Sequence, residues 1–98
     1  MGREFESLRE YQLDKIEKTS TQLLVITMEE CGELTQVCSK VLRHGADQNR
    51  LNDLMEEAGD VLCMLKLLED WGYFDWKDLK ARVKYKKKKL KRWSKMVK

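Results

Sequence analysis

Two short stretches of the sequence, MEECGEL at residues 28–34 and MEEAGDV at residues 55–61, share one pattern of residue types. Each places two adjacent acids, a small residue, a glycine and a third acid within an apolar segment of helical character. Acids three residues apart are neighbours on a helix, about 5–6 Å apart at Cβ. Bare carboxylates beside a core are unfavourable, so they either take up protons or bind a multivalent cation. The spacing therefore predicts metal-ion chemistry or proton uptake at this place.

Helix geometry predicts which acids face the core. At 100° per residue, Glu30 and Glu33 lie within about 60° of the apolar side of one helix, and Glu57 and Asp60 lie on the apolar side of another. The positions that define these two faces are Leu23, Ile26, Leu34, Val37 and Val41 on the first, and Leu54, Val61, Met64, Leu68 and Trp71 on the second. If the faces pair, four carboxylates meet without a histidine or thiolate, which favours a hard cation such as Mg²⁺ or Mn²⁺. The alternative is that these acids are solvated surface residues.

Four helices are predicted to position these residues. They span about residues 4–18, 19–43, 48–70 and 76–97, with a break expected at the hydroxyl residues 19–21. Gly45 and Gly72 are suited to end helices, whereas Asp47 or Asn49, and then Asp75, are suited to begin them. Because the connections are short, neighbouring helices should pack antiparallel. We expect an all-α fold and a single domain over residues 1–98, with a central antiparallel pair and a helical bundle completed by oligomerisation.

The composition agrees with this class. The chain has 98 residues and no proline, with 42% hydrophobic and 38% charged residues, which is typical of an all-helical domain. No apolar run reaches the roughly 18 residues of a membrane span, and the first residues lack the apolar centre of a signal peptide. A cytoplasmic protein is the expectation. The three cysteines, Cys31, Cys38 and Cys63, are expected to be buried reduced thiols.

Charge is distributed unevenly along the chain. Residues 1–76 hold 8 basic and 16 acidic residues, a balance of −8, whereas residues 77–98 hold 12 basic residues and one acid, a balance of +11. The last segment nevertheless has a helical seam at Trp76, Leu79, Val83, Lys86, Leu90, Trp93 and Val97. A basic helix with Tyr85 and Trp93 interleaved is compatible with a nucleic-acid-binding module, which is the alternative function. A purely structural helical protein is a third possibility.

The acidic pattern resembles that of a known family. EECGE at residues 29–33 followed by EAGD at residues 57–60 is similar to the EExxE…ExxD signature of the MazG-like all-α nucleoside triphosphate pyrophosphohydrolases. The resemblance covers roughly residues 20–93. It implies Mg²⁺-dependent hydrolysis of a nucleoside triphosphate, with a deoxynucleoside triphosphate expected, to the monophosphate and pyrophosphate.

The resemblance also implies a role for each matching position. Glu30, Glu33, Glu57 and Asp60 would bind the metal, and Glu29 would orient or deprotonate the attacking water or bind a further metal. On the basic helix, Arg82, Lys86 and Lys89 would contact the triphosphate. Relatives of this kind form dimers or tetramers, so a homo-oligomer is expected.

Overall fold

The structure is a computed structural model that describes the backbone of residues 2–95 and the side chains of residues 17–95. Three helices and no strand lie in that part of the chain: α1 (Gly2–His44), α2 (Gln48–Asp70) and α3 (Trp76–Trp93). The chain divides into two compact units, Met1–Leu68 and Glu69–Lys98. The first contains α1 and most of α2, and the second contains α3. The expectation of an all-helical protein is therefore confirmed.

The expected break at residues 19–21 is wrong, because α1 runs without interruption through this segment. Threonine can remain inside a helix when its hydroxyl bonds the carbonyl one turn back. Thr27 and Thr35 do so in the same helix, donating to Leu23 O at 2.7 Å and to Cys31 O at 2.9 Å. No glycine or proline stands at residues 19–21 to end the helix. The first two predicted helices are thus one.

The turn between α1 and α2 is held by a small polar network. Gly45 adopts φ +94°, a conformation that favours glycine, and its N–H donates to Val41 O at 2.9 Å to close α1. The Asp47 carboxylate accepts a 2.9 Å bond from Arg50 N at the start of α2. The Arg50 guanidinium pairs with Asp47 at 2.8 Å and donates to His44 O at 2.9 Å. Asp47 is thus the cap of α2.

We expect Asp47→Ala to lower the free energy of unfolding by about 1 kcal/mol, because it removes this cap and an exposed ion pair. For a chain of this length the melting temperature should fall by roughly 4–8 °C. Circular dichroism during heating measures the change. Asn49→Ala is the matched comparison, since Asn49 was the other candidate cap and should be close to neutral. A larger loss in Asn49→Ala than in Asp47→Ala would contradict the assignment.

Few apolar side chains are buried among residues 17–68. These are Leu23, Met64 and Leu68, whereas Leu24, Val25, Ile26, Met28, Leu51, Met55 and Leu62 are exposed. A pair of helices covers only the sides that face each other, so half or more of each helix remains open. The expectation of buried cysteines is wrong for this reason: Cys31, Cys38 and Cys63 are free and exposed.

The second unit contains the last two residues of α2, a turn and α3. Gly72 has φ +83°, and its N–H donates to Glu69 O at 2.8 Å. Asp75 caps α3 as predicted, accepting from Lys77 N at 3.0 Å. The helix ends at Trp93, where Ser94 N donates to Leu90 O at 2.8 Å, and Val97 of the predicted seam lies outside the described residues.

Within residues 2–95, no helix combines the length and apolar character that crossing a membrane requires.

Candidate metal site

Three glutamates meet between α1 and α2. One carboxylate oxygen each from Glu30, Glu33 and Glu57 lies within 4.8 Å of the other two. Glu30 and Glu57 are partly buried, whereas Glu33 is exposed. We call these three residues the glutamate cluster. The meeting predicted from helix geometry is confirmed for them.

The register of the helix pair explains why they meet. Glu30 lies seven residues after Leu23 (30 − 23), and Glu57 lies seven residues before Met64 (64 − 57), so each acid is two helical turns from a buried apolar residue. In an antiparallel pair such equal offsets bring positions to the same level. Glu33 follows Glu30 by three residues and projects from the same side of α1. These spacings are the ones that an antiparallel pair requires to bring the acids together.

The cluster makes its own members harder to ionise. Loss of water contacts is the largest cause that raises the pKa of Glu30, followed by the negative charges of Glu33 and Asp60. Loss of water contacts is also the first cause that raises the pKa of Glu57, followed by a hydrogen bond shared with Glu33 and by the charge of Glu33. Like charges and desolvation both disfavour the anion, so the two effects add. A positive charge placed here would be strongly favoured.

Two oxygens of the cluster lack a hydrogen-bond partner among the described residues. These are Oε2 of Glu30 and Oε2 of Glu57, and both are shielded from solvent. Buried carboxylate oxygens are normally satisfied by a donor, an ordered water or an ion. An all-oxygen set of acidic donors suits Mg²⁺ or Mn²⁺ and does not suit a metal that prefers sulfur or nitrogen. The residues present therefore fit a hard divalent cation.

Asp60 and Glu29 stand at the margin of the glutamate cluster. Asp60 is exposed and is not part of the 4.8 Å group, but its charge contributes to the raised pKa of both Glu30 and Glu57. Glu29 is exposed, and its charge is the smallest of the contributions that raise the pKa of Glu30. Three of the four predicted ligands are thus brought together directly, and the fourth is coupled to them by charge.

The two glycines of the repeated pattern border open space. A Cβ at Gly32 or Gly59 would have no atom within 4 Å among the described residues. Close packing within the described part of this chain therefore does not require a glycine at either position. Each glycine lowers helix stability by about 1 kcal/mol relative to alanine.

The predicted phosphate-binding residues Arg82, Lys86 and Lys89 are exposed on α3, in the second unit. The guanidinium of Arg82 lies over the ring of Tyr85, 4.5 Å from its centroid. Lys89 lines a shallow groove on α3 together with Tyr85, Lys88, Arg92 and Trp93, which we call the α3 groove. Sequence reasoning noted both aromatics but missed Lys88 and Arg92 as their neighbours. The signal was the helical spacing 85, 88, 89, 92, 93, which lies on one face.

Without metal, the cluster should make stability depend on pH. The pKa of Glu57 is raised on folding, so between the carboxyl pKa of the unfolded chain, about 4.3, and the higher folded value, the folded state binds more protons. The free energy of unfolding therefore falls as pH rises through this window. Glu57→Gln cannot ionise, and its melting temperature in EDTA should exceed that of the unmodified chain at neutral pH. The difference should disappear as pH falls below about 4.3.

Thermal denaturation in chelator from pH 4 to pH 7.5 measures this effect. Glu17→Gln removes a charge from an exposed residue of α1 and is the matched control. It should show no gain at neutral pH. Equal melting temperatures of Glu57→Gln and the unmodified chain at neutral pH would show that the cluster is not strained by its own charge.

Carboxylates that converge on a helix pair in an all-helical chain are compatible with a phosphohydrolase that uses a metal ion. Residues 18–94 match the family model of the MazG nucleotide pyrophosphohydrolase domain. Because the match covers most of the chain, the protein belongs to the MazG nucleotide pyrophosphohydrolase family. The glutamate cluster lies within the matched residues. No curated protein and no solved structure gives a significant match.

Proposed function

We propose that this protein hydrolyses a nucleoside triphosphate to the monophosphate and pyrophosphate in a Mg²⁺-dependent reaction, with deoxynucleoside triphosphates as the first substrates to test. The observation that carries the proposal is the meeting of Glu30, Glu33 and Glu57 within 4.8 Å, with two shielded oxygens lacking partners. Family membership supports nucleotide pyrophosphohydrolysis in general. Mg²⁺, or Mn²⁺ as the alternative, fits the donor set.

In this proposal Glu30, Glu33, Glu57 and Asp60 hold the divalent ion, with Asp60 contributing from the margin. When bound, the ion would neutralise the phosphate oxygens and lower the pKa of water. The raised pKa of Glu30 and of Glu57 indicates that the cluster is built to receive positive charge. Without a bound ion, repulsion within the cluster lowers the free energy of unfolding.

The remaining steps use the chain's own residues. Glu29 is exposed beside the cluster and would orient the water that attacks the α-phosphorus, accepting its proton as the new P–O bond forms. The bond from the α-phosphorus to the bridging oxygen then breaks, and pyrophosphate leaves. Arg82, Lys86 and Lys89 would hold the negative charge of the triphosphate tail. No covalent intermediate is required, since the reaction needs chiefly positioning and charge neutralisation.

We also propose that the protein is a homo-oligomer, a dimer or a tetramer. Leu24, Val25 and Leu62 are between 43% and 48% exposed, and Met28 and Met55 are more exposed still. Burying such side chains stabilises association by about 25 cal/mol per Å². A second copy of the helix pair would cover them and complete the helical bundle, with residues 1–98 of each copy proposed to form a single domain.

A panel of deoxynucleoside and ribonucleoside tri- and diphosphates, assayed with Mg²⁺, Mn²⁺ or chelator, tests the activity. Hydrolysis in ¹⁸O-labelled water identifies the bond attacked: the label should enter the monophosphate and not the pyrophosphate. Glu57→Gln purified in parallel controls for contaminating phosphatases. Release of inorganic phosphate without pyrophosphate from a triphosphate, or activity that persists in chelator, would contradict the proposal.

A further inference from the structure

The α3 groove combines exposed aromatic rings with cations on one helix face. Trp93 is 81% exposed and Tyr85 is 52% exposed, and Lys88, Lys89 and Arg92 line the groove with them. The hydrolysis proposed above does not use Trp93, Lys88 or Arg92. From this arrangement we propose that the α3 groove binds single-stranded nucleic acid.

The aromatic residues supply stacking surfaces. Large aromatics are normally buried because each removes much apolar area from water, so a tryptophan exposed to this degree is unusual. Unpaired bases stack on such rings whatever their sequence, whereas the bases of a duplex already have their faces covered. Tyr85 and Trp93 are eight residues apart, which corresponds to about 12 Å along the helix axis. A single base cannot reach both rings, but a strand of several nucleotides can.

The cations supply the contacts to phosphate. α3 carries ten lysines and arginines, against Asp78 as its single acid. Lys88, Lys89 and Arg92 lie between or beside the two rings, where a backbone would pass if its bases stacked on them. Arg82 stacks on Tyr85 and adds a further positive charge next to that ring. The positive charges that would contact phosphate groups therefore lie next to the aromatic rings.

The same arrangement disfavours an anionic membrane as the occupant. An interfacial helix needs an apolar face clear of charge, with its cations on the opposite side. In the α3 groove the cations share the face with the rings, so inserting Trp93 into a bilayer would carry Arg92 towards the hydrocarbon. Burying such a charge without a partner is unfavourable. A single strand accepts both kinds of side chain at once.

Fluorescence anisotropy of a short labelled DNA strand, titrated with the full chain in EDTA, tests the proposal. If three phosphates are neutralised, log affinity should fall with log salt with a slope of about −2, which is roughly a twentyfold loss between 50 and 200 mM. Trp93→Ala should weaken binding at least about fivefold by removing one stacking surface. Lys88→Ala should make the salt slope shallower by about 0.7.

Lys87→Ala is the matched control, because Lys87 is exposed on the opposite face of the same helix and carries the same charge. Affinity equal for both lysine variants would overturn the assignment to the groove. So would tighter binding to vesicles of anionic lipid than to the strand. Chelator stops metal-dependent hydrolysis, so this test does not depend on the proposed activity, and failure of either leaves the other standing.

Discussion

Glu57→Gln is expected to lower kcat/KM for pyrophosphate release by at least about 100-fold, because losing a metal ligand should cost no less than the roughly 10- to 100-fold caused by losing a residue that only orients a ligand. The substitution keeps the size of the side chain and removes its negative charge. One solvent-shielded oxygen of Glu57 then becomes part of a neutral amide, in a cluster whose carboxylate oxygens lie within 4.8 Å of each other. Affinity for the divalent ion should fall with the charge.

Steady-state kinetics with a pyrophosphate-coupled assay measure this loss. Glu30→Gln should behave similarly, because Glu30 has the same partial burial and the same shielded oxygen. Glu17→Gln, which lies outside the family match, should retain the activity of the unmodified chain. Because Glu57→Gln is expected to be the more stable protein in chelator, unfolding cannot account for a loss. Activity within twofold of the unmodified chain would remove the glutamate cluster from the mechanism.

Mg²⁺ is expected to raise the melting temperature of the unmodified chain and to leave that of Glu57→Gln almost unchanged. A ligand that binds only the folded state and is present at ten times its dissociation constant stabilises that state by about 1.4 kcal/mol. For a chain of about this length the shift is roughly 5–10 °C. The physical reason is relief of the repulsion that raises the pKa of both Glu30 and Glu57. The unmodified chain should therefore melt at a lower temperature than Glu57→Gln in chelator and at a higher temperature in Mg²⁺.

Thermal denaturation at millimolar Mg²⁺, at neutral pH and constant ionic strength, measures the shift. Potassium chloride matched for ionic strength is the control, because screening alone weakens repulsion between exposed charges. Mn²⁺ should act in the same way, since the donors are all oxygen. An equal shift in Glu57→Gln would mean that the ion binds elsewhere.

Together the two experiments separate binding from chemistry. A variant of Glu29 should keep the Mg²⁺ shift and lose turnover, because Glu29 is exposed and lies outside the three-glutamate group. Loss of both properties in that variant would place Glu29 among the ligands instead. The family resemblance allows Glu29 either to activate water or to bind a metal ion, and this comparison distinguishes the two roles.

Several features could be predicted from the sequence because they depend on residues within one helical turn of each other. The caps at Asp47 and Asp75 and the glycine ends of α1 and of the turn before α3 are local in this sense. The facing of Glu30 and Glu57 toward the core also follows from periodicity. The same approach predicted a helix end at the hydroxyl residues 19–21, where α1 in fact continues. Threonine can either cap a helix or lie inside it, so the residue types alone do not determine which occurs.

The sequence by itself determined the helical class, the acid spacing and the basic character of the last helix, since each is a property of residue types along the chain. The tertiary structure decided which acids meet. Glu30, Glu33 and Glu57 come together and Asp60 lies at the margin, because distances across two helices depend on their register and rotation, which the packing of Leu23, Met64 and Leu68 sets. It also decided that the cysteines are exposed, because coverage depends on how many helices pack around each one.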